Sequence, residues 1–448
     1  MQTNYTMENP ENDRLLEVGK AYEAMPFTFQ HWKAGFAIFF AYVIEAWELM
    51  IMIFIIGGIA NDFGLDQIQT GTLMGSIYLG MIPGCLLWGK IIDKIGRKTS
   101  IVLSFILYGI ISLISAFSVN YDMLFWTRFL AGAAFSGATV ATFLYFEELL
   151  PVKSRGRAAV YLAAGWPIGT LIAVGIAYFF SDLGWHWVLG ISSLGGLWFL
   201  VIKKLAPESP YWLVGKQRSD EAKAVLMQLS ENKLEGLLSE RELYVRQIKQ
   251  GSFLQIFKGK LASVTMLQTL VNFCFSWGYW ALFLWMPYML AESKGFTFVS
   301  SLGFVVVAAV AQFPGFLASS WLTERYGRKK VMFTFVTLAA IGGFGFASSD
   351  TLSELLIYLI ILSFFNLGAW GVWDVWMGEL YPTAIRGAGY GFGMTAARVA
   401  NWMAPSVIGA FLAANQSFLI TNAFIASFLV ITAIAVLFLK ETEGEILH

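Results

Sequence analysis

Twelve runs of mostly apolar residues recur along this chain of 448. Each is near the length that crosses bilayer hydrocarbon, about 20 residues. They fall at 34–60, 69–92, 99–118, 121–149, 157–180 and 184–204, then, after a polar stretch, at 263–291, 298–322, 330–348, 352–380, 386–414 and 416–439. Lipid offers the backbone no hydrogen bonds, so such runs must satisfy their own groups as helices. The expected fold class is an all-α membrane protein: twelve transmembrane helices in two six-helix halves. Residues 1–33 read as an N-terminal segment, 34–204 as a first bundle, 205–262 as a central loop, 263–439 as a second bundle and 440–448 as a tail. Charged residues make up 13%, against about 25% in soluble domains. That deficit excludes a soluble globular protein of this size.

Lysine and arginine set the expected orientation. Of the 30, Lys294 alone lies in an outer connection, and Arg128 and Arg398 lie inside runs. The others gather at the termini and in the connections after runs two, four, six, eight and ten. Both termini should therefore be cytosolic. The first 30 residues are polar and lack a signal-peptide core. Within the central loop, residues 219–233 and 234–249 read as short surface helices. Equal numbers of cations and anions, 30 each, leave no basic field for nucleic acid. Cys85 and Cys274 both lie inside apolar runs and read as small buried hydrophobes. Asn4-Tyr5-Thr6 matches a glycosylation acceptor by chance, given its expected cytosolic side.

The two halves repeat at a constant offset of 231 positions. Pro83-Gly84 returns as Pro314-Gly315. Asp93-Lys94-Ile95-Gly96-Arg97-Lys98 returns as Glu324-Arg325-Tyr326-Gly327-Arg328-Lys329. Glu148, Pro151, Arg155 and Gly156 return as Glu379, Pro382, Arg386 and Gly387. Internal repeats of this kind mark secondary transporters, whose substrate site lies between the halves near the midplane. A carboxylate and a cation cluster recur at the same helix ends, where arginine can pair with acids or cap carbonyls. Gly89, Asp93, Gly96, Arg97, Glu148 and Arg155 in one half, and Glu324, Arg325, Arg328, Glu379 and Arg386 in the other, are the expected gating residues. Topogenic charge alone is the competing reading, but it does not explain the repeated acids and glycines.

These motifs resemble the major facilitator superfamily. Gly89-x-x-x-Asp93-Lys94-x-Gly96-Arg97-Lys98 is similar to its signature loop between helices two and three, and Arg128-x-Leu130-x-Gly132 to its fourth-helix motif. Glu148-Leu-Leu-Pro151-Val-Lys-Ser-Arg155-Gly156 and Pro207-Glu208-Ser209-Pro210-Tyr211-Trp212-Leu213 resemble sugar-porter motifs. The ending Glu441-Thr442-Glu443-Gly444 departs from the usual one, which has Pro first and Lys before the Gly. The stretch Phe364–Val372, with Trp370-x-x-x-Asp374 and Glu379-Leu380-Tyr381-Pro382, resembles the branch holding bacterial nicotinate transporters and synaptic vesicle glycoprotein 2-like proteins. That resemblance implies the major facilitator fold, organic anions or similar metabolites as substrate, import, and a bacterial inner membrane.

Charges inside apolar runs are functional candidates by default, since each costs roughly 2.5–3.5 kcal/mol to insert. Glu45 and Glu48 are three apart, hence on one helix face, and two close carboxylates resist ionising together. The family resemblance implies that such helix-one acids couple transport to protons and face the helix-four arginine, here Arg128. A static structural bridge is the alternative. Arg398 lies about twelve residues into its run, roughly 18 Å deep. It suits a substrate carboxylate by its planar fork, or a bridge to Asp374. Glu147 reads as a solvated or loop-pairing residue.

Aromatic residues reach 16%, and most should form interfacial belts. Those beside polar or helix-breaking residues suggest a cavity for a small planar ligand: Trp166 beside Pro167; Asn272, Ser276, Tyr279 and Trp280; Asn366, Trp370 and Trp373; and Asn401. The seventh run lacks the glutamine- and asparagine-rich pattern of sugar porters. Only His31, His186 and His448 are histidines, none deep enough for a midplane relay. No nucleotide loop, catalytic triad or metal cluster is present, so neither an enzyme nor an ATP-driven pump is expected, and no cofactor or metal. The expected function is proton-coupled symport of a small organic acid or zwitterion, nicotinate-like. Its partners would be that solute, protons and the lipid bilayer, and it would work as a monomer. A sugar or polyol symporter and a transport-inactive receptor on the same fold are the alternatives.

Overall fold

A computed structural model describes residues 15–154, 161–239, 241–245, 252–382 and 385–443. The long helical segments are α1 (Phe29–Phe63), α2 (Gln67–Ile95), α3 (Arg97–Ser115), α4 (Tyr121–Leu149), α5 (Gly165–Phe180) and α6 (Trp185–Leu205), then α7 (Lys260–Lys294), α8 (Phe298–Tyr326), α9 (Arg328–Ser348), α10 (Leu352–Glu379), α11 (Arg386–Ala413) and α12 (Phe418–Leu437). Ten are long and apolar enough to cross a membrane. The other two are α7 and α11, of 35 and 28 residues; aromatic and polar side chains lower their hydropathy while they pack among the rest. The architecture is an all-α membrane protein.

Local chemistry sets the helix ends. Asp66 accepts from the Gln69 N–H at 2.7 Å while Gln69 answers to the Asp66 N–H, a capping box that starts α2. Thr351 and Glu354 do the same for α10. Gly64, at φ 64°, ends α1. Pro83 and Pro314 sit inside α2 and α8 at equivalent positions. The glycine after each lets a neighbouring helix approach closely. A Cβ at Gly84 would stand 2.7 Å from the Ala133 carbonyl of α4, and one at Gly315 would overlap the Phe364 carbonyl of α10. Ala133 and Phe364 themselves keep the repeat offset, so the packing is duplicated along with the sequence.

Helix α6 is interrupted. Leu194–Trp198 is a 3₁₀ turn between Trp185–Ser193 and Phe199–Leu205. Gly196 meets Gly109 of α3 so closely that a Cβ would lie 2.5 Å from the Gly109 Cα.

The expected helix at 234–249 is replaced over its described part, while residues 240 and 246–249 lie outside the described residues. A four-residue helix, Glu235–Leu238, is followed by a strand, β2 (Glu242–Tyr244), paired in parallel with β1 (Leu15–Glu17). Leu243 and Leu16 are buried opposite each other, and burying them outweighs any local helix propensity. The neighbouring helix Ser219–Ser230 is as expected, apart from its last turn. This small unit sits on the first bundle: Tyr22 stacks on Tyr211, and the Thr28 hydroxyl donates to the Leu229 carbonyl at 2.6 Å. His31 falls inside α1, in a capping box with Thr28.

Candidate functional site

Helices α1 and α4 bring a carboxylate and a guanidinium into the interior of the first bundle. Glu48 and Arg128 are both fully buried. Arg128 is the cation acting on Glu48, and its Nη1 donates to Ser112 Oγ at 3.3 Å. Both Glu48 oxygens and the Arg128 Nε and Nη2 have no hydrogen-bond partner. Mutual attraction and the Ser112 hydroxyl between them offset the desolvation of these charges.

Glu45 belongs elsewhere. Expected to share Arg128 with Glu48, it lies instead under the field of Arg398. Three residues along a helix amount to a rise of about 4.5 Å and a turn of about 60°, enough to direct the two acids to different partners. Arg398 of α11 also acts on Asp374 of α10. One half-buried cation from the second bundle therefore acts on an acid of its own bundle and on an acid of the other. It makes no ion-pair contact with either among the described residues. Tyr42 lies in the field of both acids, and Tyr390 in that of Asp374 and Arg398.

Aromatic rings from both bundles surround this cluster. Trp166 of α5 donates from Nε1 to the Tyr279 hydroxyl of α7 at 3.1 Å, a direct bond between the halves. The Trp166 ring meets Trp280 edge-on at 5.7 Å and Tyr42 at 6.1 Å. Trp280 also contacts Tyr78 of α2 at 4.9 Å, and Trp370 stacks on Phe275 at 4.7 Å. Gln312 of α8 donates to Tyr279 at 3.4 Å, leaving its Oε1 without a partner. Ser276 Oγ, both polar atoms of Asn366 and Asn401 Oδ1 are likewise buried and unpartnered. Asn272 and Trp373 are bonded to each other. The Trp373 indole donates to Asn272 Oδ1 at 3.2 Å, and Asn272 Nδ2 donates to the Gln268 carbonyl at 3.0 Å, both inside the second bundle.

The halves close on each other at the helix ends remote from the cation-rich loops. A Cβ at Gly71 would overlap the Pro405 carbonyl, one at Gly75 would lie 2.5 Å from the Trp402 carbonyl, and one at Gly409 would overlap that of Gln67. Thr72 Oγ1 and Ser406 Oγ are 3.2 Å apart across the same seam, and Trp285 donates to the Pro405 carbonyl at 2.9 Å. Small residues at a helix seam permit this close backbone approach. At the opposite end of α2, a Cβ on Gly89 would meet open space.

The repeated loops form two near-copies of one ion cluster, each within its own half. Arg97 donates from Nε to Glu148 Oε2 at 3.1 Å. Arg328 pairs with Glu379 through two bonds of 3.1 Å. Two acids overlooked as functional residues complete the clusters. Glu208 accepts from the Arg97 and Lys98 N–H groups at 2.9 and 3.0 Å, and Glu441 from those of Arg328 and Lys329 at 3.0 and 3.1 Å. Both cap a helix N-terminus, where the aligned dipole favours an anion. Gly96 (φ 97°) and Gly327 (φ 88°) make room, since a Cβ on either would strike the capping carboxylate. Tyr145 braces the Pro207 carbonyl and Trp376, at the repeat offset from Tyr145, braces the Lys440 carbonyl. The signal was present in the two segments around Glu208 and Glu441, both of which stand out as motifs.

Other expected gating residues contribute less. Asp93 is largely exposed and reaches Arg97 only at 3.6 Å. Glu324 and Arg325 are exposed, with Arg325 lying over the Trp321 and Tyr326 rings. Arg386 begins α11. Arg155 lies outside the described residues.

The family described as "Sugar (and other) transporter" matches residues 21–448. A niacin transporter, NiaP, of Acinetobacter baylyi is 30% identical over 429 residues, covering 95% of this chain and 98% of that protein. A synaptic vesicle 2-related protein of Rattus norvegicus is 28% identical over 468 residues, covering 98% and 83%. The xylose transporter XylE of E. coli, in a partially occluded inward open conformation, superposes with a TM-score of 0.76 at 17% identity, over 94% of this chain and all of that one.

Proposed function

The chain belongs to the sugar (and other) transporter family of the major facilitator superfamily, and from that premise we propose that it is a proton-coupled symporter of a small planar organic acid, nicotinate-like. It is a multi-pass membrane transporter and not an enzyme. What carries the finer reading is Arg398, half-buried and acting on both Glu45 and Asp374 from opposite halves, with Trp166 and Tyr279 joining the halves nearby.

The charges supply a reason for coupling. One guanidinium faces two carboxylates, and a substrate carboxylate docking on it would make three anions around one cation. Like charges this close cannot all stay ionised, so binding the acid favours uptake of a proton by Glu45 or Asp374. Solute and proton then arrive together. Arginine's planar fork suits a carboxylate bidentately, and Trp166, Trp280 and Trp370 offer faces for an aromatic ring. Glu48 and Arg128 form a separate, compensated pair in the first bundle. In this reading all twelve long helices cross the bilayer, both termini are cytosolic, and the seam of α2 on α11 seals the outer side. Transport is a rocking of the halves about the cluster.

A sugar or polyol is the competing reading, favoured by the unpartnered amide of Asn366. Proteoliposome uptake distinguishes them. Radiolabelled nicotinate should accumulate when the outside is made acidic, collapse with a protonophore, and be resisted by unlabelled aromatic acids but not by hexoses. Accumulation of a hexose, or nicotinate uptake that ignores the proton gradient, overturns the proposal.

A further inference from the structure

Away from the charged cluster, α1, α5 and α6 enclose a cleft of about 420 Å³, a volume in the range of small-molecule sites, about 300–1,000 Å³. Its walls include Phe40, Ile44, Trp47, Ile172, Gly195 and Trp198, and every lining side chain is apolar. Its two indole N–H groups are already used: Trp47 donates to Ser192 and Trp198 to the Ala37 carbonyl. The cleft offers a ligand no hydrogen bond, so it cannot select a metabolite; what it can hold is hydrocarbon.

The shape follows from the interruption of α6. Gly196 draws α6 onto Gly109 of α3, and the 3₁₀ turn beside it presents Gly195, which has no side chain, towards α1. The hollow is thus built into the fold. Leu194, Leu197 and Leu200 at its rim are more than half exposed, so it opens sideways towards the bilayer. Lys203 and Lys204 follow on the same helix, both exposed. Lys204 is four residues beyond Leu200, hence on the same face one turn lower. Apolar hollow and cations lie in the order of acyl chain and headgroup.

We propose that this cleft binds one acyl chain of an anionic glycerophospholipid, whose phosphate rests on Lys203 and Lys204. The inner wall, Ile44 and Trp47, belongs to the same turn of α1 as Glu45 and Glu48. A bound chain there fixes the helix on which coupling is proposed to depend.

Native mass spectrometry of the purified full chain, titrated with phosphatidylglycerol or phosphatidylcholine of matched chains, tests this. Two lysines near an anionic group should favour phosphatidylglycerol by about thirtyfold. Lys203→Gln with Lys204→Gln, both on the surface and harmless to folding, should erase that preference while leaving binding of both lipids at the weaker level. Ile172→Trp, which fills the cleft, should reduce binding of both. Lysophosphatidylglycerol, with one chain, should bind wild type and the lysine variant in the same ratio as the two-chain lipid. The proposal fails if the lysine variant keeps the headgroup preference, if Ile172→Trp retains lipid at wild-type affinity while eluting as a monodisperse peak, or if the two lipids bind wild type alike.

Discussion

Arg398→Lys should separate recognition from scaffolding at the centre of this protein. The guanidinium makes no ion-pair contact with Glu45 or Asp374 in the present state, so its fork is available to a ligand. Lysine keeps the charge that both acids feel but loses the planar, two-pronged geometry. Loss of one charge-assisted hydrogen bond is worth about 1.5–3 kcal/mol, or roughly ten- to a hundredfold in affinity. Binding of nicotinate, measured by calorimetry, should therefore weaken by that factor, with little change in melting temperature. Nicotinamide, which lacks the carboxylate, should bind wild type weakly and hardly notice the substitution. Arg398→Ala goes further, leaving two buried acids without the cation that acts on them, and should lower the melting temperature. Asp374→Asn should restore part of that. If Arg398→Lys binds nicotinate within twofold of wild type while losing thermal stability, the arginine is a bridge and the substrate is anchored elsewhere.

Further expectations follow from the same geometry. Glu45→Gln and Glu48→Gln should differ, with at least one abolishing proton-driven accumulation while leaving counterflow exchange; normal accumulation by both would acquit α1. Gly71→Val places a side chain into the Pro405 carbonyl and should force the α2–α11 seam apart, which raised labelling of a cysteine placed at Gln67 by an impermeant thiol reagent would report. Glu441→Ala removes the cap on Arg328 and Lys329 and should lower stability by about 1–2 kcal/mol, as should Glu208→Ala in the other half, both read from thermal unfolding. A reporter at the C-terminus or within 215–250 should be cytosolic and one near Asp350 external, as protease accessibility would reveal.

Much of this could be read before any coordinates. Hydropathy placed α10 within a residue at either end, because its capping box and the glutamate at its close are local signals. The 231-residue offset located both ion clusters, because the glycine, arginine and acid of each recur at matching positions even though Arg97 and Glu148 bond across 51 residues. What stayed hidden was contact at long range. Leu15–Glu17 is too short to show periodicity, and its partner lies more than two hundred positions away. The bond between Asn272 and Trp373 spans 101 positions and left no trace in the sequence pattern. The division of Glu45 and Glu48 between Arg398 and Arg128 depends on how helices of different halves cross.

The repeat also shows where duplication stopped, and that bears on mechanism. At the loops the halves share the residues of the ion pair and the turn: Arg97 and Arg328, Glu148 and Glu379, Gly96 and Gly327. At the centre they do not. The positions equivalent to Glu45, Glu48 and Arg128 hold Ser276, Tyr279 and Leu359, and those equivalent to Asp374 and Arg398 hold Phe143 and Pro167. A rocking motion needs each bundle to hold its own helix ends together, a task identical on both sides and served by identical parts. Binding a solute that is itself asymmetric needs different groups on the two walls. The first bundle supplies two acids and a private arginine; the second supplies the one arginine that reaches across to Glu45. Because the influence of Arg398 on Glu45 is, among the described residues, the one charge interaction resolved between acids and arginines of opposite bundles in the interior, whatever displaces it changes the energy of closing one half on the other, which is the role proposed here for the transported anion.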